Sequence, residues 1–200
     1  MMKAPLFLLA ACALATGCAA PAYVSPVQVT RFVGDTPAFL GQGTVEVVAA
    51  PGTDTASLEY EIYAEAIRQE LEELGYRVVM DDGNQTAMLS VEIFVGAEEG
   101  RRSPVSVGAG GSTGTYGSGV GVGVGINLGS LSGPPPERIE REIFVALQGN
   151  EMTTNLWEGR ATMVATSNSD YAEDAAAAAR MADALFAGFP GNSGETIEIE

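Results

Sequence analysis

The 200-residue sequence predicts an α+β domain, with a mainly antiparallel sheet of about five or six strands and two helices packed on one face of it. Two observations support this class. Short runs alternate apolar and polar residues, as half-buried strands do, and two longer stretches repeat apolar residues every three or four positions, as amphipathic helices do. The predicted strands are Val27–Val33, Thr44–Ala49, Tyr76–Met80, Ala87–Val95, Ile139–Leu147 and Asn155–Thr166.

The first predicted helix ends before Gly75 and begins after one of several possible N-caps, Thr53, Asp54, Thr55 and Ser57. Its apolar stripe is aliphatic, and glutamates fill the opposite face, which is typical of a solvated helix surface rather than a cation site. The stripe comprises Leu58, Ile62, Ala66, Ile67, Leu71 and Leu74. The second helix, Ala175 to Ala187, follows a segment that resembles a capping box, Asp170 to Glu173.

Local signals predict the connections between strands. Asp81 to Asn84 is rich in turn formers and predicts a hairpin between its flanking strands. Gly159 interrupts the apolar phase of the last predicted strand and predicts a β-bulge. The acidic tail, residues 191–200, is expected to be loose, although Ile197 and Ile199 could add a short edge strand.

The segment Gly108–Gly133 is an insertion dominated by glycine. No frame in it has the glycine spacing of a dinucleotide-binding turn, and a phosphate-binding P-loop needs a lysine, which the chain lacks after Lys3. Strands of alternating valine and glycine specify their register weakly. Two interpretations remain open: a mobile loop or protruding hairpin, or a surface that binds a partner or a second copy of the chain.

The amino-terminal residues have the features of a bacterial secretory signal. Lys3 precedes an uncharged apolar run of Ala4 to Ala15, which is too short to span a bilayer. Ala15-Thr16-Gly17-Cys18 resembles the lipobox of bacterial lipoproteins. The resemblance implies cleavage after Gly17, lipidation of Cys18 and, because Ala19 follows the cysteine, sorting to the outer membrane with the domain facing the periplasm.

The predicted organisation is therefore a lipoprotein signal peptide at 1–17, a lipidated tether at 18–26, an α+β domain at 27–190 and the tail at 191–200. From Cys18 onward the chain has nine arginines against 26 acids, a net charge of −17. This charge is opposite to that of nucleic-acid-binding surfaces. It also favours a domain that stands away from anionic lipid.

The composition offers few catalytic residues. There is no histidine, Cys12 belongs to the signal peptide, and Cys18 is assigned to the lipid. The usual zinc sites and the Ser-His-Asp and Cys-His catalytic sets are thereby excluded. Lipidation of Cys18 is the only site predicted; no catalytic, cofactor-binding or metal-binding residue is expected, and the protein is expected not to be an enzyme.

Several segments together resemble one family of bacterial lipoproteins, grouped as domain of unknown function 4136. They are the lipobox, Val29–Phe32, Leu74–Tyr76, the glycine-rich stretch, Leu156–Ala161 and Gly188–Pro190. The resemblance implies an envelope location and an α+β fold, but no activity.

The sequence thus predicts a non-enzymatic binding or scaffolding lipoprotein, held to the membrane by its lipid, with an envelope protein as a possible partner and no cofactor. Two alternatives are a cell-wall glycosidase-like hydrolase that uses carboxylates only and an envelope protein that self-assembles through the glycine-rich segment.

Overall fold

A computed structural model of the chain describes residues 20–96, 105–114, 117–126, 135–149 and 154–200. These residues form two units, and the larger comprises Ala22–Ala97 and Glu137–Glu200. It contains a seven-stranded sheet and two α-helices, which confirms the α+β class. The strand count exceeds the predicted five or six because the tail contributes a strand.

The elements of the larger unit follow one another in the predicted order, with the last strand added. The strands are β1 (Val27–Val33), β2 (Thr44–Ala49), β3 (Arg77–Val79), β4 (Gln85–Gly96), β7 (Arg138–Gly149), β8 (Asn155–Thr166) and β9 (Glu195–Ile199). The helices are α1 (Leu58–Glu73) and α2 (Asp174–Phe186). The strand order across the sheet is β3-β2-β4-β7-β8-β1-β9, and only the β2–β3 and β2–β4 pairs are parallel.

The smaller unit contains the strands β5 (Val105–Gly114) and β6 (Gly117–Ile126), which pair antiparallel. A hairpin was one of the forms predicted for the glycine-rich insertion, and the antiparallel pair agrees with it. Its strands begin three residues earlier than the predicted start at Gly108.

The turn at Asp81–Asn84 does not make a hairpin, so this prediction was wrong. β2 lies between β3 and β4 and pairs parallel with both. The turn therefore carries the chain past the start of β2, where the Asn84 amide donates to Thr44 Oγ1 at 2.8 Å. A Cβ at Gly83 would come within 2.7 Å of the Glu46 amide nitrogen, so the close crossing requires glycine.

The core lies between one face of the sheet and the two helices. Trp157 is fully buried there, stacks on Phe186 with ring centroids 5.3 Å apart, and donates from Nε1 to the Pro190 carbonyl at 2.9 Å. Gly159 pairs regularly with Val145 and is not the predicted bulge; the register shift lies at Leu147/Gln148. The Trp157 ring covers Gly159, where a Cβ would overlap it.

The helix α1 buries a different stripe from the predicted one. Tyr60 and Tyr63 face the core beside Ala64, Ile67 and Leu71, whereas two aliphatic residues assigned to the stripe are exposed, Leu58 (85%) and Ile62 (36%). Because tyrosine rings contribute large apolar area, the buried face of the helix contains Tyr60 and Tyr63 instead of Leu58 and Ile62.

The tail is more ordered than predicted. β9 pairs antiparallel with β1 and places Ile197 and Ile199 opposite Val29 and Val27, on the core side of the sheet. The alternation of isoleucine with polar residues is what allows this edge strand, since only one of its faces is buried.

Candidate functional site

Cys18, the predicted lipidation site, lies outside the described residues. The chain five residues later is firmly positioned. Tyr23 exchanges backbone hydrogen bonds with the end of β8: the Thr166 amide donates to the Tyr23 carbonyl at 2.9 Å, and the Tyr23 amide donates to Thr166 Oγ1 at 2.8 Å. Val24 forms an antiparallel bridge with Ala165.

Ser25 completes this attachment. Its amide donates to the Val164 carbonyl at 2.9 Å, and the Val164 amide donates to Ser25 Oγ at the same distance. Within the predicted tether, residues 18–26, the three residues Tyr23, Val24 and Ser25 are therefore bound to the sheet. The Ser25 hydroxyl thus accepts the Val164 amide hydrogen in place of a backbone carbonyl.

A groove of about 350 Å³ opens beside this attachment. The residues around it come from the docked segment, β1, β7, β8 and β9: Tyr23, Ser25, Pro26, Gln28, Glu140, Thr162, Met163, Val164 and Glu198. Glu198 accepts a hydrogen bond from Gln28 Nε2 at 3.1 Å. The groove thus brings two carboxylates, Glu140 and Glu198, to one polar cleft.

The same end of the sheet carries exposed apolar side chains. Tyr23 is 50% exposed, Phe94 60% and Val95 63%. The guanidinium carbon of Arg138 lies 5.8 Å from the centre of the Tyr23 ring, in cation–π range. This end therefore combines aromatic and aliphatic surface with one exposed arginine.

Two buried arginines hold α2 to the sheet. Arg141, from β7, donates to the carbonyls of Tyr171 (3.0 Å) and Ala172 (2.8 Å) and forms an ion pair with Asp174 (2.8 Å). Arg31, from β1, donates to the Ala184 carbonyl at 3.0 Å. Burial lowers the pKa of Arg31, and the charge of Glu195 acts in the opposite direction.

The Arg141 contacts correct the predicted capping box. Asp170–Ala172 is a short 3-10 helix, and α2 starts at Asp174 without a side-chain cap. Arg141 binds the last carbonyls of that turn instead. Neither arginine was predicted to be a buried structural residue. Each nevertheless occupies a core-facing position of its strand, two residues from the buried Val29 or Ile143.

A buried hydroxyl lies near this ion pair. Tyr63 is 1% exposed and its hydroxyl makes no hydrogen bond. Burial raises the pKa of Tyr63 far above that of a free tyrosine, although the Arg141 charge opposes the shift. A hydroxyl whose pKa is raised in this way stays protonated at neutral pH.

The described ranges contain no group of three or more acidic, histidine or cysteine side chains placed to hold a metal ion. In the same ranges, neither helix is long and apolar enough to cross a bilayer.

The fold defines a class: an α+β domain built on one mostly antiparallel sheet with both helices on the same face. The chain belongs to the family described as domain of unknown function DUF4136, whose match spans residues 36–191. Of the segments that carry the resemblance, the lipobox and Val29–Phe32 lie outside this match.

Three solved structures are similar. A PDZ domain protein from Parabacteroides distasonis is 13% identical with a TM-score of 0.48; the match covers 88% of this chain and 38% of that protein. Two PelC dodecamer structures from Paraburkholderia phytofirmans are 14% and 12% identical, with TM-scores of 0.41 and 0.42. They match 80% and 84% of this chain and 94% and 99% of PelC. The comparison with curated proteins gives no match.

Proposed function

We propose that this protein is a lipid-anchored lipoprotein of the bacterial outer membrane, and that its periplasmic domain is a non-enzymatic binding or scaffolding module with an envelope protein as its partner. The observation that carries the proposal is the combination of the Ala15–Cys18 lipobox with a rigidly docked segment that starts at Tyr23. A lipid on Cys18 would act directly on the end of the sheet rather than through a long linker.

The anchor is tested by growth of cells with a radioactive fatty acid. Wild-type protein should incorporate the label, and Cys18→Ser should not. Label that persists on Cys18→Ser would remove the basis of the proposal. Cys12→Ser is the matched control, since Cys12 lies in the proposed signal peptide and its loss should leave labelling unchanged.

The scaffolding role is tested by crosslinking in cells, followed by purification from detergent-solubilised envelopes. A photoreactive residue on the open sheet face, such as at Thr30 or Phe32, should yield a discrete crosslinked species. Recovery of the protein alone, with probes at both positions and in the glycine-rich hairpin, would contradict this role.

Self-assembly is a second candidate, favoured by the register of the β5–β6 hairpin. The pairs Val105–Ile126, Val107–Val124 and Ala109–Val122 alternate with the pairs Ser106–Gly125, Gly108–Gly123 and Gly110–Gly121. The register therefore places most of the valine, isoleucine and alanine residues at alternate paired positions and mainly glycine and serine at the positions between them. An isolated two-stranded hairpin is marginally stable in water, so a second copy could supply the missing partner surface.

This candidate predicts that Val122→Asn and Val124→Asn together reduce the oligomer mass of the Cys18→Ser protein in light scattering. Ser106→Asn and Ser112→Asn, at the intervening register positions, form the control pair. A monomeric wild-type protein, or equal masses for all variants, would eliminate self-assembly through this hairpin.

The carboxylate-only hydrolase has one observation in its favour, since Glu140 and Glu198 line the same groove. It predicts that the protein releases soluble fragments from purified cell-wall glycan, and that Glu140→Gln and Glu198→Gln each abolish the release. Wild-type protein without such activity would dispose of the hydrolase.

A further inference from the structure

The short distance between Cys18 and the docked chain constrains how a lipidated protein meets its membrane. Tyr23 lies five positions after Cys18, and an extended chain spans at most about 3.6 Å per position. Even fully extended, the connection reaches only about 18 Å. The end of the sheet that holds Tyr23 is therefore the part of the larger unit nearest to the lipid.

The strand register shows which residues share that end. Thr166, to which Tyr23 is bonded, pairs with Arg138, and Arg138 pairs with Gly96. In the next row, Ala165 pairs with Ile139 and Ile139 with Val95. Phe94 precedes Val95 in β4 and lies in the third row from this end of the sheet. Since neighbouring strands lie about 4.8 Å apart, Phe94, Val95 and Tyr23 lie within about 15 Å of one another across the sheet.

These side chains are unusual for a free surface. Each is at least half exposed. Tyr23 and Phe94 lie on the open face of the sheet end and Val95 on its opposite face, because successive strand residues alternate, and the guanidinium of the exposed Arg138 faces the Tyr23 ring. Aromatic side chains with a polar or cationic neighbour are enriched where protein meets the headgroup region of a bilayer. This end of the sheet thus has the chemistry of an interfacial contact.

Charge decides which lipid surface fits. The whole domain is strongly acidic, and Glu137 and Glu140 flank Arg138 at this end. An anionic surface would repel these carboxylates over a Debye length of about 8 Å at physiological ionic strength. A zwitterionic surface offers phosphates to Arg138 without that net repulsion.

We infer that Tyr23, Phe94, Val95 and Arg138 form a membrane-contact end that rests on a zwitterionic phospholipid surface when Cys18 is lipidated. The inference depends on the proposed lipid anchor and goes beyond it, because it fixes the orientation of the domain. The strands then run away from the bilayer, and the opposite end of the sheet, with Phe32, points into the aqueous compartment.

The test uses single cysteines for labelling, since Cys18 carries the lipid and the mature chain has no other thiol. Phe94→Cys reports on the membrane-contact end. Phe32→Cys is the matched control, because both phenylalanines lie on the same open face with similar exposure, 60% and 53%. The rows of the sheet that contain them are six positions apart along β8, from Val164 to Glu158, which is about 20 Å.

Each lipidated variant is labelled with a small fluorophore and reconstituted into phosphatidylcholine–phosphatidylethanolamine vesicles that contain a lipid with a headgroup nitroxide, a short-range quencher. We expect quenching several-fold stronger at position 94 than at position 32. Equal quenching at both positions would mean that the open face lies on the membrane, and quenching at neither would mean that the domain stands away from it; either result overturns the inference.

Flotation of the same vesicles separates this inference from the proposed function. Protein that fails to float with lipid contradicts the anchor itself. Protein that floats but shows no preferential quenching at position 94 retains the anchor and contradicts the membrane-contact end.

Discussion

The replacement of Arg141 by methionine should be among the most destabilising single changes in this domain. Arg141 is 1% exposed, and its guanidinium serves three acceptors: the carbonyls of Tyr171 and Ala172 and the carboxylate of Asp174. Methionine fills a similar volume but leaves two carbonyls and a carboxylate without their partner. The change therefore isolates the polar contribution of the side chain from its packing.

The expected cost is about 3 kcal/mol, at the lower end of the range for breaking a buried ion pair. The lower end applies because the Asp174 side chain is 35% exposed, so that water can solvate its carboxylate when the guanidinium is gone. Asp174→Asn should cost only about 1 kcal/mol, because Arg141 keeps both carbonyl acceptors.

Urea unfolding of the Cys18→Ser protein measures these values. Trp157, the only tryptophan, is fully buried against Phe186 and reports the loss of the core through its fluorescence. With a slope of about 2 kcal/mol per molar urea, Arg141→Met should lower the midpoint by about 1.5 M.

Arg160→Met is the control for this prediction. Arg160 lies on the neighbouring strand β8 with its side chain 52% exposed, pairs with Glu142 and covers the Phe144 ring on the open face. Its loss should cost less than about 1 kcal/mol, as for other exposed ion pairs. A midpoint for Arg141→Met no lower than that of Arg160→Met would refute the reasoning.

Three further predictions use the same unfolding assay. Gly159→Ala should destabilise by about 1–3 kcal/mol through overpacking, because the new Cβ would overlap the Trp157 ring and lie 2.8 Å from Leu185 Cδ1; an unchanged midpoint would contradict this packing. Tyr63→Phe should leave stability unchanged or raise it by up to about 1 kcal/mol, because the buried hydroxyl has no hydrogen-bond partner; a clear loss would show that the hydroxyl contributes. Burial, then the charges of Asp183 and Glu73, raise the pKa of Glu70, so its ionised form opposes folding. Glu70→Gln should therefore stabilise the protein at pH 7, and its advantage should shrink as the pH falls through that raised pKa; an advantage independent of pH would contradict the assignment.

The sequence predicted the elements of this fold better than their arrangement. Strand patterns and helical periodicity are local signals, and they located β1, β2, β3, β4, β7, β8 and both helices. The pairing of β2 between β3 and β4 is a contact between distant segments, and nothing within Asp81–Asn84 indicates it. The residues Asp81–Asn84 do form a turn, but β3 and β4 both run parallel to β2, so the chain is not reversed there.

The candidate site was less predictable still. Cys18 was identified by its motif and lies outside the described residues, so its lipidation stays a prediction. The docking of Tyr23–Ser25 depends on the end of β8, about 140 residues away along the chain. Glu140 and Glu198 meet in one groove only because β9 joins the sheet beside β1. No sequence pattern within any of these segments indicates the contact that the segment makes.

The two buried arginines show what an arginine at a core-facing position of a strand can indicate: a side chain that fixes a helix to the sheet. Arg141 holds the start of α2, and Arg31 holds its end at the Ala184 carbonyl. Arg31 is favoured there by the helix dipole, whereas Arg141 faces the unfavourable end and depends on the Asp174 carboxylate and two carbonyls for compensation. A guanidinium presents several donors in a fixed fork, which an ammonium does not, and the mature chain uses arginine throughout, with no lysine. Both ends of α2 are fixed to the sheet in this way, so the polar side chains between α2 and the sheet stabilise the fold. Recognition by the larger unit is then best sought on the open face, in the groove and at the end of the sheet nearest Cys18.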